Sequence, residues 1–265
     1  MSLRASLSDF DPDELDRPAV ALRVDIRENE SEVPVHRHRK GQLVLALRGG
    51  ITCKVAGGLW MVPPQHGVWI PGNMPHSNRA TANARICFLF VEPDIASLPG
   101  ECCTLSITPL VTELIQHLAG LPPLYAPNGP TGRLAAVLLD QLAQMPREQL
   151  HLPISSDRRL RRMTDVLTRD PGDRSTIAEW GARLAMSERT LARLVVSETG
   201  MTFGRWRRQL HLIMALQRLS AGASVQEVSE YLGYESVSAF ITMFKKAVGK
   251  PPARYFSDKE SGGRG

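Results

Sequence analysis

The sequence predicts a two-domain protein: an all-β barrel with appended helices over residues 1–150, then an all-α domain with two helix-turn-helix motifs over 151–265, its core at 157–256. Three observations predict it. Between about residues 20 and 92, short apolar runs alternate with polar residues and are cut by Gly and Pro turns. After residue 105 the apolar period becomes helical. Finally, two helix-turn-helix patterns lie about fifty residues apart in the last hundred residues.

The strand-like runs are Val20–Ile26, Gln42–Leu47, Ile51–Val55, Val68–Ile70 and Ile86–Val91. Gly49-Gly50, Gly57-Gly58, Pro63-Pro64, Pro71-Gly72-Asn73 and Pro93-Asp94 separate them. Short strands with such turns indicate an antiparallel barrel or sandwich. Two helical stripes follow, Leu110, Val111, Leu114, Ile115 and Leu118, then Leu134, Val137, Leu138, Leu142 and Met145, with a Pro/Gly-rich break over 120–130. Both stripes are wide for an attached element, so the helices of 106–145 are expected to join two copies into a homodimer, packing on the barrel being the other reading. Residues 146–156 hold two prolines and no sustained period, which places the linker there.

At 265 residues and 43% hydrophobic content the chain can bury two ordinary cores. It has no run of some 18 apolar residues, so no membrane span is expected. The N-terminus has no apolar signal core, and a cytoplasmic location is expected. Cys53, Cys87, Cys102 and Cys103 form no CxxC pair and read as reduced, partly buried thiols. The net charge of +5 is uneven: residues 157–256 carry 17 Lys and Arg against 10 Asp and Glu, whereas residues 1–156 are slightly acidic. Only the C-terminal half is expected to meet a polyanion.

In that half, Asp157 opens a helix running to about Arg169, and Ser175 or Thr176 caps the next. Small residues at 178, 181 and 182 are expected where two helices cross at a short turn. Ser187 caps the first recognition helix, with Leu191, Leu194 and Val195 inward and Arg189, Thr190, Ala192, Arg193 and Val196 outward. Arg189 and Arg193, four residues apart, share a face from which guanidinium groups contact guanine edges or phosphates. A helix over 202–219 follows, a spacer of about 27 Å set against the roughly 34 Å between recognition helices on one DNA face. Ser236 caps the second recognition helix, with Phe240, Phe244 and Val248 inward and Val237, Ser238, Ile241, Thr242 and Lys245 accessible. Lys245 and Lys246 suit phosphates better than bases. The second face is therefore expected to anchor more than to discriminate.

The stretch Leu232-Gly-Tyr-Glu-Ser-Val-Ser-Ala-Phe-Ile-Thr-Met-Phe-Lys-Lys-Ala-Val-Gly-Lys-Pro-Pro-Ala-Arg-Tyr resembles the C-terminal signature of the AraC/XylS family of bacterial regulators. Ser187-Glu-Arg-Thr-Leu-Ala-Arg-Leu and Gly200-Met-Thr-Phe-Gly-Arg-Trp-Arg-Arg resemble its first half. The resemblance covers about 157–256. It implies seven helices, docking of both units in successive major grooves of double-stranded DNA, and control of transcription, as activator or repressor, through RNA polymerase. Val195 stands where an aromatic is common, and His211 and Phe256 where Arg is common.

In the first half, His36-Arg-His38, Gln42, Gly49 and Pro71-Gly-Asn-Met-Pro-His76 resemble the two motifs of a cupin barrel, with Gln42 where metal cupins carry Glu. His36, His38, Gln42 and His76 are the candidate ligands of a divalent transition metal. With Trp60 and Trp69 as walls, the same residues are candidates for an effector pocket. Three readings stay open: inherited barrel-lining residues, a metal that helps sense a ligand, or an enzyme site. Many AraC-type regulators resemble this arrangement, so a ligand-responsive regulator of transcription, and no enzyme, is the expectation. The alternative is a metal-dependent cupin enzyme with an appended DNA-binding domain.

Overall fold

A computed structural model describes residues 10–26, 31–55, 57–62, 66–82, 84–148, 150–220 and 222–257. The expected turn at Pro63-Pro64 and the N-terminal segment 1–9 lie outside them. Contacts divide the chain into two compact units, Met1–Ala56 with Trp60–Leu150, and Gly57–Leu59 with His151–Gly265.

The first unit holds β1 (Ala19–Asp25), β2 (Ser31–His36), β3 (Gly41–Arg48), β4 (Ile51–Val55), the second half of β5 (Gly58–Met61), β6 (His66–Ile70), β7 (His76–Ala80), β8 (Arg85–Val91), β9 (Cys103–Ser106) and β10 (Arg147–Glu148). One sheet runs β1-β8-β3-β6-β9-β10, and β5-β4-β7-β2 form the other within this unit. Alternation sorts the side chains into two cores. Val24, Val44, Val68, Ile70, Phe88 and Phe90 point between the sheets with Ile51, Cys53, Val55 and Trp60. Leu43, Leu45, Trp69, Cys87 and Leu89 point the other way, under helices α1 (Pro109–Ala119) and α2 (Pro130–Leu142). The five apolar runs of the sequence all became strands. Strands β2 and β7 escaped that reading because Pro34 interrupts the first and His-Ser-Asn-Arg-Ala makes up the second, and β5, β9 and β10 are only four, four and two residues long.

In the helical stripes Val111, Ile115, Leu118, Leu138 and Leu142 are buried on the sheet, but Leu110 and Val137 stay 54% and 50% exposed. The expected linker is largely structured. Arg147–Glu148 pairs with β9, while β11 (His151–Pro153) belongs to the second unit. There Leu152 is buried, Trp206 Nε1 donates to Pro153 O (2.9 Å) and Ser155 Oγ donates to Glu198 (2.6 Å).

The second unit continues with seven helices among the described residues: α3 (Arg158–Arg169), α4 (Ile177–Arg183), α5 (Glu188–Thr199), α6 (Phe203–Ser220), α7 (Val225–Tyr231), α8 (Val237–Val248) and α9 (Pro252–Ser257). Asp157 caps α3. Thr176, not Ser175, caps α4, and Ser224 caps α7, each with a full capping box to Glu179 or Glu227. Each box contributes about 1 kcal/mol to a helix of only seven residues. The close approach at the first turn belongs to Gly181 alone, where a Cβ would come 2.8 Å from Met186 O. Ala178 and Ala182, expected to share that role, are exposed because they lie off the α4 face that meets α5.

Candidate functional sites: a paired DNA-reading surface and a histidine cluster

The helix α5 starts at Ser187, whose Oγ accepts from Thr190 N (3.2 Å), and ends at Gly200. Leu191 and Val195 are fully buried, so a neighbouring stripe is forced outward. On it Ser187, Arg189, Thr190, Arg193 and Val196 are exposed and Ala192 half-buried. Leu194, expected inward, is half-buried. Neither Arg189 nor Arg193 forms an ion pair among the described residues, which leaves both guanidinium groups available to an external anion or base.

The second helix repeats the construction. Ser236 caps α8 by accepting from Ala239 N (3.2 Å), and Phe240 and Phe244 fix the buried side. Ser236, Val237, Ser238, Thr242 and Lys245 are exposed and Ile241 half-buried. Thr242 Oγ1 donates to Ser238 O (2.8 Å), so its hydroxyl proton is engaged and its lone pairs face outward. The side chain of Phe256 lies outside the described residues.

The two halves meet at a compact junction that the sequence reading did not identify. His211 of α6 bridges them, with Nε2 3.0 Å from Pro171 O and Nδ1 3.2 Å from the Tyr234 hydroxyl. A carbonyl only accepts, so Nε2 carries the proton and Nδ1 accepts from the phenol. Burial pushes the His211 pKa down to about 4. Alongside, Arg174 Nε donates to Gly233 O (2.9 Å), and Gly233 sits at φ +71°, with Gly172 O 2.8 Å from the point a Cβ would occupy. An open cleft of about 390 Å³ flanks these contacts, lined by Arg174, Arg207, Arg208, His211 and Tyr234. The junction combines these polar bonds with a chain of ring contacts from His211 through Tyr234 and Phe240 to Phe244. The sequence signal was present: His211 replaces an expected Arg, five residues after Trp206 on the buried side of α6.

In the first unit, antiparallel register sets His36 opposite His76. The turn after β6 brings Asn73 N to His38 O (2.7 Å), folding His38 toward the same place. Ring centroids lie 4.3 Å (His36–His76), 5.1 Å (His38–His76) and 6.0 Å (His36–His38) apart. One ligand atom from each of the three lies within 4.8 Å of the others. All three Nδ1 atoms face a backbone carbonyl: Pro34 O at 2.8 Å, Lys40 O at 2.6 Å and Met74 O at 2.9 Å. The proton accordingly sits on Nδ1 and each Nε2 presents a lone pair, the tautomer a metal site needs. Burial lowers the pKa of His36 and takes that of His76 down to about 4, keeping these rings neutral. Gln42 Oε1 lies 3.1 Å from His38 Nε2. Two acceptors facing each other are a poor pair alone but good neighbours around a cation.

Trp69 does not belong to this site. Its side chain points to the opposite face of the sheet, packs in the core under α1 and α2, and donates from Nε1 to Pro99 O (2.7 Å). Odd positions of β6 face the helices, and that parity decides its side. Trp60 faces the interior. The thiols are unsuited to ligation: burial raises Cys53 and Cys102, and takes Cys87 to about 11, so they stay protonated.

Residues 21–162 match the family model of the AraC-like ligand binding domain, and residues 180–258 match that of a helix-turn-helix domain. The chain is also 50% identical over 257 residues to the HTH-type transcriptional regulator NimR of Escherichia coli, covering 97% of this chain and 94% of that one. The chain belongs to the AraC family of transcriptional regulators. The HTH-type regulator RipA of Corynebacterium diphtheriae is 28% identical over 47% of this chain and 35% of its own. Among solved structures, ToxT from Vibrio cholerae aligns over 89% of this chain and 95% of its own, at 10% identity and a TM-score of 0.39, too distant to inform the sites. Family membership makes the helix-turn-helix half a DNA-binding domain and the barrel half a ligand-binding domain. It also removes the cupin-enzyme alternative, since the family regulates transcription. Among the described residues no helix is long and apolar enough to cross a membrane.

Proposed function

We propose that this regulator reads double-stranded DNA with α5 and α8 in successive major grooves, and that a divalent transition metal or a small-molecule effector in the barrel controls that binding. Arg189 and Arg193 read bases from α5, with Ser187, Thr190, Ala192 and Val196 against the backbone and thymine methyls. On α8, Ser236, Val237, Ser238, Ile241, Thr242 and Lys245 supply anchoring contacts. Homodimerisation through 106–145 uses the exposed Leu110 and Val137. The protein acts in the cytoplasm, and bound at its operator it regulates transcription through RNA polymerase.

One observation carries the sensor half: three imidazoles converge with every Nδ1 tied to a carbonyl, leaving three Nε2 lone pairs and the Gln42 oxygen. His36, His38 and His76 would hold the ion, with Gln42 as a neutral fourth ligand. The ion would supply a fixed positive charge and an attachment point for an oxygen- or nitrogen-bearing effector. Loss of the usual carboxylate leaves that charge uncompensated, which favours anchoring over turnover. Occupancy alters DNA affinity by stabilising one of two arrangements of the protein.

Cobalt(II) titration of the full chain tests this. We expect one ion per chain with the visible absorption of a nitrogen-ligated site, lost in His36→Ala and His76→Ala. The loaded and stripped forms should differ at least tenfold in affinity for DNA beside the protein's own gene. A chain that takes up no metal, or whose DNA affinity ignores it, contradicts the metal reading.

A further inference from the structure

Asn78, His76 and Thr104 are buried polar residues whose side-chain atoms meet no hydrogen-bond partner among the described residues: both amide atoms of Asn78, Nε2 of His76 and Oγ1 of Thr104. Asn78 and Thr104 are 0% exposed and His76 1%. Strand alternation places them all on the inside of the barrel. His76, Asn78 and Ala80 share one face of β7, and Ala80 packs in the interior core. Asn78 stands opposite Cys53 on β4 and Val33 on β2, both interior. On β9, Cys103 and Leu105 pack outward under the helices, which turns Thr104 inward beside Val68. Asn78 lies two residues along β7 from His76, about 7 Å deeper.

Leaving one such group buried and unpaired costs about 1–3 kcal/mol, and proteins rarely keep several inside one barrel without a partner for them. The partner here is uncharged. Lys40, the buried cation among the described residues, is already bonded to Glu92 and to Arg17 O. No buried side chain among the described residues therefore carries an unpaired charge that would hold a charged ligand. His76 Nε2 is already committed to the histidine cluster, which leaves Asn78 and Thr104 for the ligand. The Asn78 amide offers an acceptor beside a donor. Phe88, Phe90 and Trp60 are the aromatic side chains of the same interior core.

We infer that the barrel interior recognises a small neutral ligand bearing a hydrogen-bond donor beside an acceptor, as in a carboxamide, lactam or urea, which pairs edge to edge with Asn78. The inference rests on the reading of the barrel as the sensor and names the chemistry of what it senses. Thr104 takes the ligand's remaining polar atom, and the body of the ligand lies against the aromatic rings.

The test measures binding of benzamide, benzoate and toluene to the full-length protein by calorimetry and thermal shift at pH 7. Benzamide should bind at least tenfold more tightly than either its charged isostere benzoate or the amide-free toluene. Asn78→Leu, with the same number of side-chain heavy atoms and the same branching, should melt no lower than the wild type without ligand, because it removes an unpaired amide, and should lose the preference for benzamide over toluene. Thr104→Val, isosteric and independent of Asn78, should weaken benzamide severalfold. An Asn78→Leu chain that melts well below the wild type shows an amide bonded within the protein and overturns the inference. So does a preference for benzamide that survives both substitutions, or a crystal structure in which ordered water holds Asn78 and Thr104 unchanged in excess benzamide. If benzamide fails while cobalt(II) still shifts DNA affinity, the ligand class falls and the sensor reading stands.

Discussion

Arg193 and Lys245 divide the work expected of a DNA-reading surface. Both are exposed on recognition helices, but only the guanidinium presents the two-pronged donor that guanine matches. Arg193→Ala should cost about 1–3 kcal/mol of specific binding and relax preference at one base pair. Lys245→Ala should weaken binding evenly across sequences and reduce the salt slope by about one. Titrations against a panel of single-base variants at several salt concentrations read both. His211 makes a different prediction. Its folded pKa of about 4 lies below the ordinary value near 6.5, so the unfolded chain binds a proton that the folded chain refuses. Stability of the DNA-binding domain is therefore full above pH 6.5 and falls, by roughly 3 kcal/mol at most, as pH drops toward 4. Urea denaturation of wild type and His211→Gln across that range checks it, the variant showing the flatter profile. Residue types predicted well where chemistry is local, as with the capping Ser187 and Ser236. They predicted poorly where the fold chooses a side: Trp69 is an aromatic near the histidines in sequence, but strand parity turns it to the other core.

Among the elements, the junction between the two helix-turn-helix units determines whether they act as one reader. Two linked sites gain affinity only if the linkage holds them at the right separation. Gly233→Ala forces a Cβ toward Gly172 O at a positive φ, and should cut affinity for a full operator at least tenfold while binding to an isolated half-site stays within about twofold. Equal losses on both DNAs would place the effect in folding instead. The elements themselves were legible to the extent that their periodicity was clean. The α5, α6 and α8 helices repeat apolar residues at helical spacing, and α5 and α8 run from a Ser cap to a Gly cap. Strands β2 and β7, which carry His36 and His76, were not legible as strands: one contains Pro34 at the sheet edge and the other is mostly polar. The histidine cluster was read from spacing instead, and the register of these two strands supplies what spacing lacked.

At the scale of the molecule, the change of hydrophobic period near residue 105 and the basic excess after 157 carried the division of labour. What sequence could not show is that residues 151–155 dock on the second unit through Trp206, Gln209 and Glu198. A fragment starting at His151 should therefore be folded and bind DNA, whereas one starting at Arg158 should be less stable by about 2 kcal/mol or more, having lost the buried Leu152 and these bonds. Thermal melting of the two fragments compares them. The central claim is that one chain reads two successive major grooves. Hydroxyl-radical footprinting on DNA beside the protein's own gene tests it most directly. The account predicts two protected patches on one face of the duplex, centred about one helical turn apart, the first lost in Arg189→Ala with Arg193→Ala and the second in Thr242→Ala with Lys245→Ala. A single patch that vanishes with the first pair and ignores the second would contradict it.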